Sequence, residues 1–244
     1  MGRVISNIVA DRDDCRIVAG VDKVESGESK FPQFSNIYDF DGNANVIIDF
    51  SHPSALPDLL SFATLKNLPI VLATTGYTDK DIEIIEEASK KTPVFFTANM
   101  SIGVNLISEL AKKATEVLSD SFDIEIIEKH HNQKIDAPSG TALMLADEIS
   151  SVMEKTPIYE YDRHSRRAKR DKNEIGIHAV RGGTIVGEHE IIFAGRDEIV
   201  TISHSARSKD IFAVGAVNAA MFLIAKDCGL YNMSDLIAGG NKSV

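Results

Sequence analysis

The sequence predicts an α/β protein of two parts, and three observations point there. Over the first hundred residues, short apolar runs alternate with helical stretches. Past about residue 102 that rhythm gives way to a long amphipathic helix, a polar loop, another helix and three strands with glycines at their turns. Residues 211–225, rich in Ala, Val and Phe, then predict a helix packed in a core. Strands alternating with helices form a parallel sheet covered on both faces. Consecutive strands joined by glycine turns form an antiparallel meander.

Each element has its own signal. Residues 3–12 carry Val4, Ile5, Ile8 and Val9 on one side, as a helix does. Residues 16–21 form an apolar run that ends at Asp22 and reads as a strand. Residues 45–50 predict a second strand, 54–66 a helix, and 69–73 a third strand. Residues 79–90 are charged and periodic, hence helical, and 93–97 supply the next strand. Ligands of such sheets gather beyond the carboxyl ends of the strands. Those ends carry Asp22, Asp49-Phe50-Ser51, Thr74-Thr75-Gly76 and Ala98-Asn99-Met100.

In the second part, 104–118 predicts the long helix. Ile124, Ile126 and Ile127 alternate with Asp123, Glu125 and Glu128 as in a strand, and 141–153 predicts the next helix. Residues 174–180, 184–193 and 199–203, with Gly182, Gly183 and Gly195 at their turns, predict the meander. A basic stretch of Arg163, Arg166, Arg167, Lys169 and Arg170 reads as a solvated loop rather than a nucleic-acid patch. The chain carries a net charge of −10 and no aromatics interleave there.

That negative balance also means an anionic substrate must be drawn by a local positive patch. A hydrophobic fraction of 43% and a charged fraction of 25% describe a soluble globular protein. Cys15 and Cys228 match no metal or redox spacing and read as reduced thiols of a cytoplasmic protein. No secretion signal and no run long enough to span a bilayer is read, so no membrane partner is expected.

The chemistry concentrates between Glu128 and Thr141, where His130, His131, Lys134 and Asp136 precede Pro138-Ser139-Gly140-Thr141. A polar loop that joins a strand to a helix, and opens that helix on Pro-Ser-Gly-Thr, builds an anion site. The first backbone N–H groups of a helix lack internal partners and carry the positive end of its dipole. With Lys134 and an imidazole beside them, a small di-acid has both charges answered, and a proton donor stands in reach. A solvated loop with surface histidines is the plainer alternative. A metal site is not expected: adjacent histidines on an extended chain point to opposite faces, and no cysteine lies near.

The run E-x-H-H-x-x-K-x-D-A-P-S-G-T-A, from Glu128 to Ala142, resembles the signature loop of the 4-hydroxy-tetrahydrodipicolinate (dihydrodipicolinate) reductase family of bacterial lysine and diaminopimelate synthesis. Asp49-Phe50-Ser51, Ala73-Thr74-Thr75-Gly76, Ala98 through Asn105 and Val186-Gly187-Glu188-His189 are similar too, and the resemblance runs from Met1 to near Ile237. It implies a Rossmann-type dinucleotide-binding domain, residues 1–101 and 210–244. An inserted α+β domain, 102–209, with a mostly antiparallel sheet, would bind substrate and form a homotetramer. Hinges are expected at 98–103 and 204–209.

The implied activity is reduction, by NADH or NADPH, of a cyclic imine bearing two carboxylates. His130 matches the family's general acid, and Lys134 the cation that holds or protonates the substrate. His131, Lys134, Gly140 and Thr141 would bind a carboxylate, while Asp136 orients the loop or caps the helix. For the cofactor the resemblance implies Gly2, Arg3, Asp22, Lys23, Phe50, Thr74, Thr75, Gly76, Ala98, Asn99 and Met100. Ala73 replaces a family glycine, and Met100 stands where many members have Phe, so its thioether would meet the nicotinamide ring. Gly2 matches the last glycine of a longer motif, G-x-x-G-R-M-G-R. The strand and glycines before it have no counterpart here, so weak dinucleotide binding is expected. A cofactor-deficient form that keeps dicarboxylate binding and assembly is the alternative. A third reading, a Rossmann-type dehydrogenase acting on aspartate or a semialdehyde, lacks the His-His-to-Thr loop.

Overall fold

The computed structural model describes residues 1–23, 29–165 and 167–239, so Arg166 of the basic stretch lies outside the described residues. The chain divides into two compact units, Met1–Ile102 with Asp210–Val244, and Gly103–Lys209.

In the first unit, helix α1 (Gly2–Ala10) buries Ile5 and Val9. Strands β3 (Ile47–Asp49), β4 (Ile70–Leu72), β5 (Pro93–Phe96) and β11 (Gly229–Tyr231) form a parallel sheet in the order β11-β5-β4-β3. Helices cover both of its faces. Leu56, Leu60 and Ala63 of α2 (Leu56–Lys66) and Ile85 of α3 (Asp79–Ser89) pack with Ile70, Leu72 and Val94. Against Val71 and Phe95 lie Ala216, Ala219, Ala220 and Leu223 of α6 (Asp210–Leu223) and Met233 of α7 (Met233–Gly239). A capping box between Thr78 and Asp81 starts α3. Close packing by α6 needs Gly215, where a Cβ would collide with the Met100 carbonyl oxygen.

The predicted strand at 16–21 is corrected to β1 (Gly20–Val21), which among the described residues pairs, in parallel, only with β2 (Gln33–Phe34). This pair is not hydrogen-bonded to β3. A strand exists through its ladder partners. Among the described residues no strand pairs with 16–19 or with the outer edge of β3. Ile17 instead packs beside Ile5, Val9, Ala213 and Val217.

The second unit holds α4 (Ile102–Leu118), β6 (Asp123–His130), α5 (Gly140–Ser150), β7 (Ile158–Glu160), β8 (Glu174–Arg181), β9 (Gly187–Ala194) and β10 (Ile199–Ala206). Its sheet runs β10-β9-β6-β8-β7 and is mixed. Strands β10, β9 and β6 pair antiparallel, and β6, β8 and β7 pair parallel. Of the expected meander, β9 and β10 pair as neighbours, while β6 inserts between β8 and β9. Its alternating Ile124 and Ile126 are buried best at the centre, among Ile175, Ile177, Ile191 and Phe193, under Ile107 and Ala111 of α4 and Leu145 and Ile149 of α5.

Two members of the basic stretch are not solvated as expected. Arg170 holds Asp123 at 3.0 Å and Glu125 at 3.0 Å, and Arg163 pairs with Glu125 and Glu174. They clamp the outer side of β6 to β8. Among the described residues, no helix is long and apolar enough to cross a membrane.

Candidate active site

Strand register builds the site. On the covered face of the second sheet, one row across the strands is Ile177, Ile126, Ile191 and Ile202. One pleat further on, the row becomes Ala179, Glu128, His189 and His204. The core face thus turns from apolar to ionisable within a single step. Strand β6 continues as far as His130, which pairs with Arg181, so Glu128, Lys129 and His130 belong to a strand and not to the loop.

Glu128 is the hub and is wholly buried (0% exposed). Arg181 reaches both of its oxygens, Nη1 to Oε2 and Nη2 to Oε1, each at 2.7 Å. His130 Nδ1 lies 2.6 Å from Oε2, and the Ser139 N–H donates to Oε1 at 3.0 Å. Burial alone would raise this carboxyl. The hydrogen bonds from Arg181, His130 and Ser139 outweigh it and hold Glu128 below the usual 4.5. Ser139 caps α5, its Oγ accepting from the Ala142 N–H at 3.1 Å, and also meets His189 Nε2 at 3.0 Å.

The ring of His189 stands edge-on to that of His130, centroids 5.3 Å apart. Burial, and after it the charge of His130, push His189 down to about 4; Glu128 opposes this, while His204 and Lys134 add to it. His189 is therefore neutral near pH 7. His130 and Lys134 thus both act by charge on His189.

A pH dependence of stability follows. The unfolded chain takes up a proton at His189 near the usual 6.5, but the folded chain only near 4. This contribution is fully present above about 6.5 and is lost as pH falls toward 4, amounting to roughly 3 kcal/mol. Glu128, with its lowered value, adds a further loss below about 4.5. Urea unfolding followed from pH 7 to pH 4 should show the decline, and His189→Gln should reduce the part above pH 4.5, which His204, also lowered by burial, shares. An unchanged slope in that variant would count against the assignment.

Lys134 Nζ lies 2.8 Å from Asp136 Oδ1. Lys134 foremost, with a smaller part from the Gly140 N–H, holds Asp136 below the usual carboxylate range. Asp136 thus answers the same two groups that were expected to bind a substrate carboxylate. Its backbone carbonyl accepts from Arg181 Nη2 at 2.6 Å, which ties the loop to the hub. Gly140 is exposed, and among the described residues no atom lies within 4 Å of where a Cβ would stand. Thr141 follows it, half-buried, in the first turn of α5. The imidazole of His131 is half-buried and, among the described residues, makes no hydrogen bond. Among the described residues no group of three or more His, Cys, Asp or Glu is placed to hold a metal ion.

In the first unit the remaining candidates lie at strand ends and at the start of α1. Gly2 and Arg3 begin α1, Asp22 and Lys23 follow β1, and all four are exposed. Asp49, buried at the end of β3, accepts from Thr74 Oγ1 at 2.7 Å, from Tyr77 Oη at 3.3 Å and from the Ser51 N–H at 2.9 Å. It thereby fixes the turn that leads to exposed Thr75 and to Gly76, whose φ of +86° favours glycine. Burial foremost, and then the charge of Asp49, raise Tyr77 well above its usual value. Phe50 is half-buried against α1 and α6, Ala98 is exposed, and Asn99 Oδ1 accepts from the Ser101 N–H at 2.9 Å. Met100 differs from expectation. Only 4% of it is exposed, and its side chain fills the core beside Phe95 and α6 rather than extending over the strand ends.

At two of these positions the backbone is open enough for a dinucleotide to approach. Among the described residues nothing lies within 4 Å of a Cβ at Gly2, and at Gly76 only Pro53 Cγ comes near, at 4.0 Å. A phosphate chain can approach such backbone.

Comparison with known proteins identifies the family. Residues 1–100 match the family model described as dihydrodipicolinate reductase, N-terminus, and residues 103–237 match the one described as dihydrodipicolinate reductase, C-terminus. The chain belongs to the dihydrodipicolinate reductase family. It is 49% identical over 240 residues to the 4-hydroxy-tetrahydrodipicolinate reductase of Caldanaerobacter subterraneus, covering 98% of this chain and 95% of that protein. With the enzyme of the same name from Clostridium novyi it shares 50% identity over 241 residues, covering 99% and 95%. The dipicolinate-bound dihydrodipicolinate reductase of Paenisporosarcina sp. TG-14 has the same fold, with a TM-score of 0.79 at 23% identity over 95% of this chain and 92% of that one.

Within this reductase fold, the hub residues Glu128, Arg181, Ser139 and His189 were not foreseen as functional. Parity was the signal available for two of them. Glu128 continues Ile124 and Ile126, and His189 precedes Ile191 and Phe193, so both sit on a core face where an ionisable group is out of place.

Proposed function

We propose that this chain reduces the dehydrated form of 4-hydroxy-tetrahydrodipicolinate to tetrahydrodipicolinate, in lysine and diaminopimelate synthesis. One observation carries the reading. In a member of this family, His130, Lys134 and the exposed start of α5 at Gly140 gather where the sheet's covered face turns polar. Lys134 and the Gly140 and Thr141 N–H groups hold one carboxylate of the di-acid, displacing Asp136, and His131 lends a further donor. The structurally similar reductase from Paenisporosarcina holds dipicolinate, a di-acid of this class.

Hydride, delivered to C4 of the ring, is the chemistry that a bound reduced nicotinamide supplies. As the C4–H bond forms, the electrons of the unsaturated imine move toward C3 and the ring nitrogen. His130 gives a proton to C3, and the imine of the product is restored. Gly2, Arg3, Asp22, Lys23, Phe50, Thr74, Thr75, Gly76, Ala98, Asn99 and Met100 hold the cofactor, Met100 through its backbone. Asp22 accepts ribose hydroxyls and Lys23 answers a 2′-phosphate, which supports use of both NADH and NADPH.

The chain acts in the cytoplasm as a homotetramer built through the second unit. Apolar Ile199, 67% exposed on β10, and the free thiols of Cys15 and Cys228 support that reading. Sedimentation velocity tests the assembly.

The activity assay follows oxidation of NADH and NADPH with freshly generated cyclic substrate. Turnover should require that substrate and be competitively inhibited by pyridine-2,6-dicarboxylate. Turnover of aspartate or a semialdehyde instead would favour the other dehydrogenase reading. His130→Ala should lower kcat by roughly 100-fold or more while retaining pyridine-2,6-dicarboxylate binding by calorimetry.

A further inference from the structure

A histidine that donates a proton has two nitrogens, and the geometry around His130 distinguishes them. Ionised Glu128 can only accept, so the proton between Oε2 and Nδ1, 2.6 Å apart, belongs to the ring. Arg181 answers both oxygens of Glu128, and the Ser139 N–H adds a third donor, so this carboxylate has neither cause nor room to turn away. On the far side of the ring, Nε2 lies over Gly187. A Cβ there would stand 3.0 Å from Nε2 and 3.4 Å from Cδ2, so glycine leaves the ring its place. His189 supports the ring edge-on, 5.3 Å between centroids.

We propose that Glu128, locked by Arg181, is a positioning residue that holds Nδ1–H inward and reserves Nε2 of His130 as the nitrogen that delivers the proton. This rests on the reading of His130 as the acid. When the imidazolium gives its Nε2 proton to C3, the N–H electron pair stays on Nε2. The neutral ring keeps Nδ1–H, still donated to Glu128, and Glu128 itself gains no proton. The carboxylate sets tautomer and direction and touches no reacting atom.

The test reads the tautomer directly. In two-bond proton–nitrogen correlation spectra of uniformly ¹⁵N-labelled protein, with His130→Gln for assignment, the neutral His130 ring should carry its proton on Nδ1. In Glu128→Gln the side-chain amide can donate to Nδ1, so the proton should move to Nε2. kcat should then fall about 10- to 100-fold, with KM and the affinity for pyridine-2,6-dicarboxylate within about twofold of wild type. Gly187→Ala leaves the Glu128–Arg181–Ser139 bonds intact and displaces only the ring. It should keep Nδ1–H and still lose kcat, so it decides the matter with the wild-type spectrum if Glu128→Gln does not fold. A wild-type neutral ring protonated on Nε2, or wild-type kcat in Glu128→Gln or in Gly187→Ala, would overturn the proposal. Wild-type kinetics in His130→Ala would overturn the parent reading instead, which keeps the two failures apart.

Discussion

Lys134→Ala should lower kcat/KM by roughly 10³-fold or more, the largest kinetic effect expected of any single substitution in this protein. The chain has a net charge of −10, so its field opposes a doubly charged anion, and the cation at the loop must overcome it locally. Removing Lys134 also leaves Asp136, now 2.8 Å from its amine, as an unanswered negative charge at the place where a substrate carboxylate must sit. The loss therefore combines a missing attraction with a new repulsion. The double variant Lys134→Ala with Asp136→Asn separates them. It should recover part of the KM increase and little of the kcat decrease, measured by steady-state kinetics. Equal KM in the single and double variants would show that Asp136 does not oppose the substrate.

Arg181→Met should destabilise the second unit by about 3–5 kcal/mol, because it strands the buried carboxylate of Glu128 without its bidentate partner. The loss should be largest near neutral pH and shrink toward pH 4, where protonation relieves the stranded charge. Replacing Glu128 and Arg181 together by Met and Leu should restore much of the stability, as apolar pairs of similar volume commonly do. Turnover should stay low, since nothing then orients His130. Urea unfolding and kcat measured on the same three proteins check this. A double variant with wild-type turnover would show that the buried pair serves the fold alone.

Much of the candidate site could be read along the chain because a continuous polar loop between a strand and a helix is a local object. Lys134, Asp136 and the Ser139 cap act over a few residues, and their spacing shows in sequence. His130 stood out as a candidate proton donor for the same reason. What holds it did not. Arg181 and His189 reach Glu128 and Ser139 from strands β8 and β9, through pairings that no local pattern specifies. The meander expected of β8 and β9 failed on that point, because inserting β6 between them depends on where Ile124 and Ile126 are best buried. Likewise β1 shortened to two residues because ladder partners, not composition, make a strand.

The sequence by itself determined the alternation of elements, the two-part organisation and the polar loop with its helix-capping turn, since these depend on side-chain periodicity and on contacts a few residues apart. Only the tertiary structure decided the strand order, the burial of Met100 in the core and the Glu128–Arg181–His130 hub. Each of these depends on which distant residues meet in a dry interior, where an ionisable group is stable only with its partners in place.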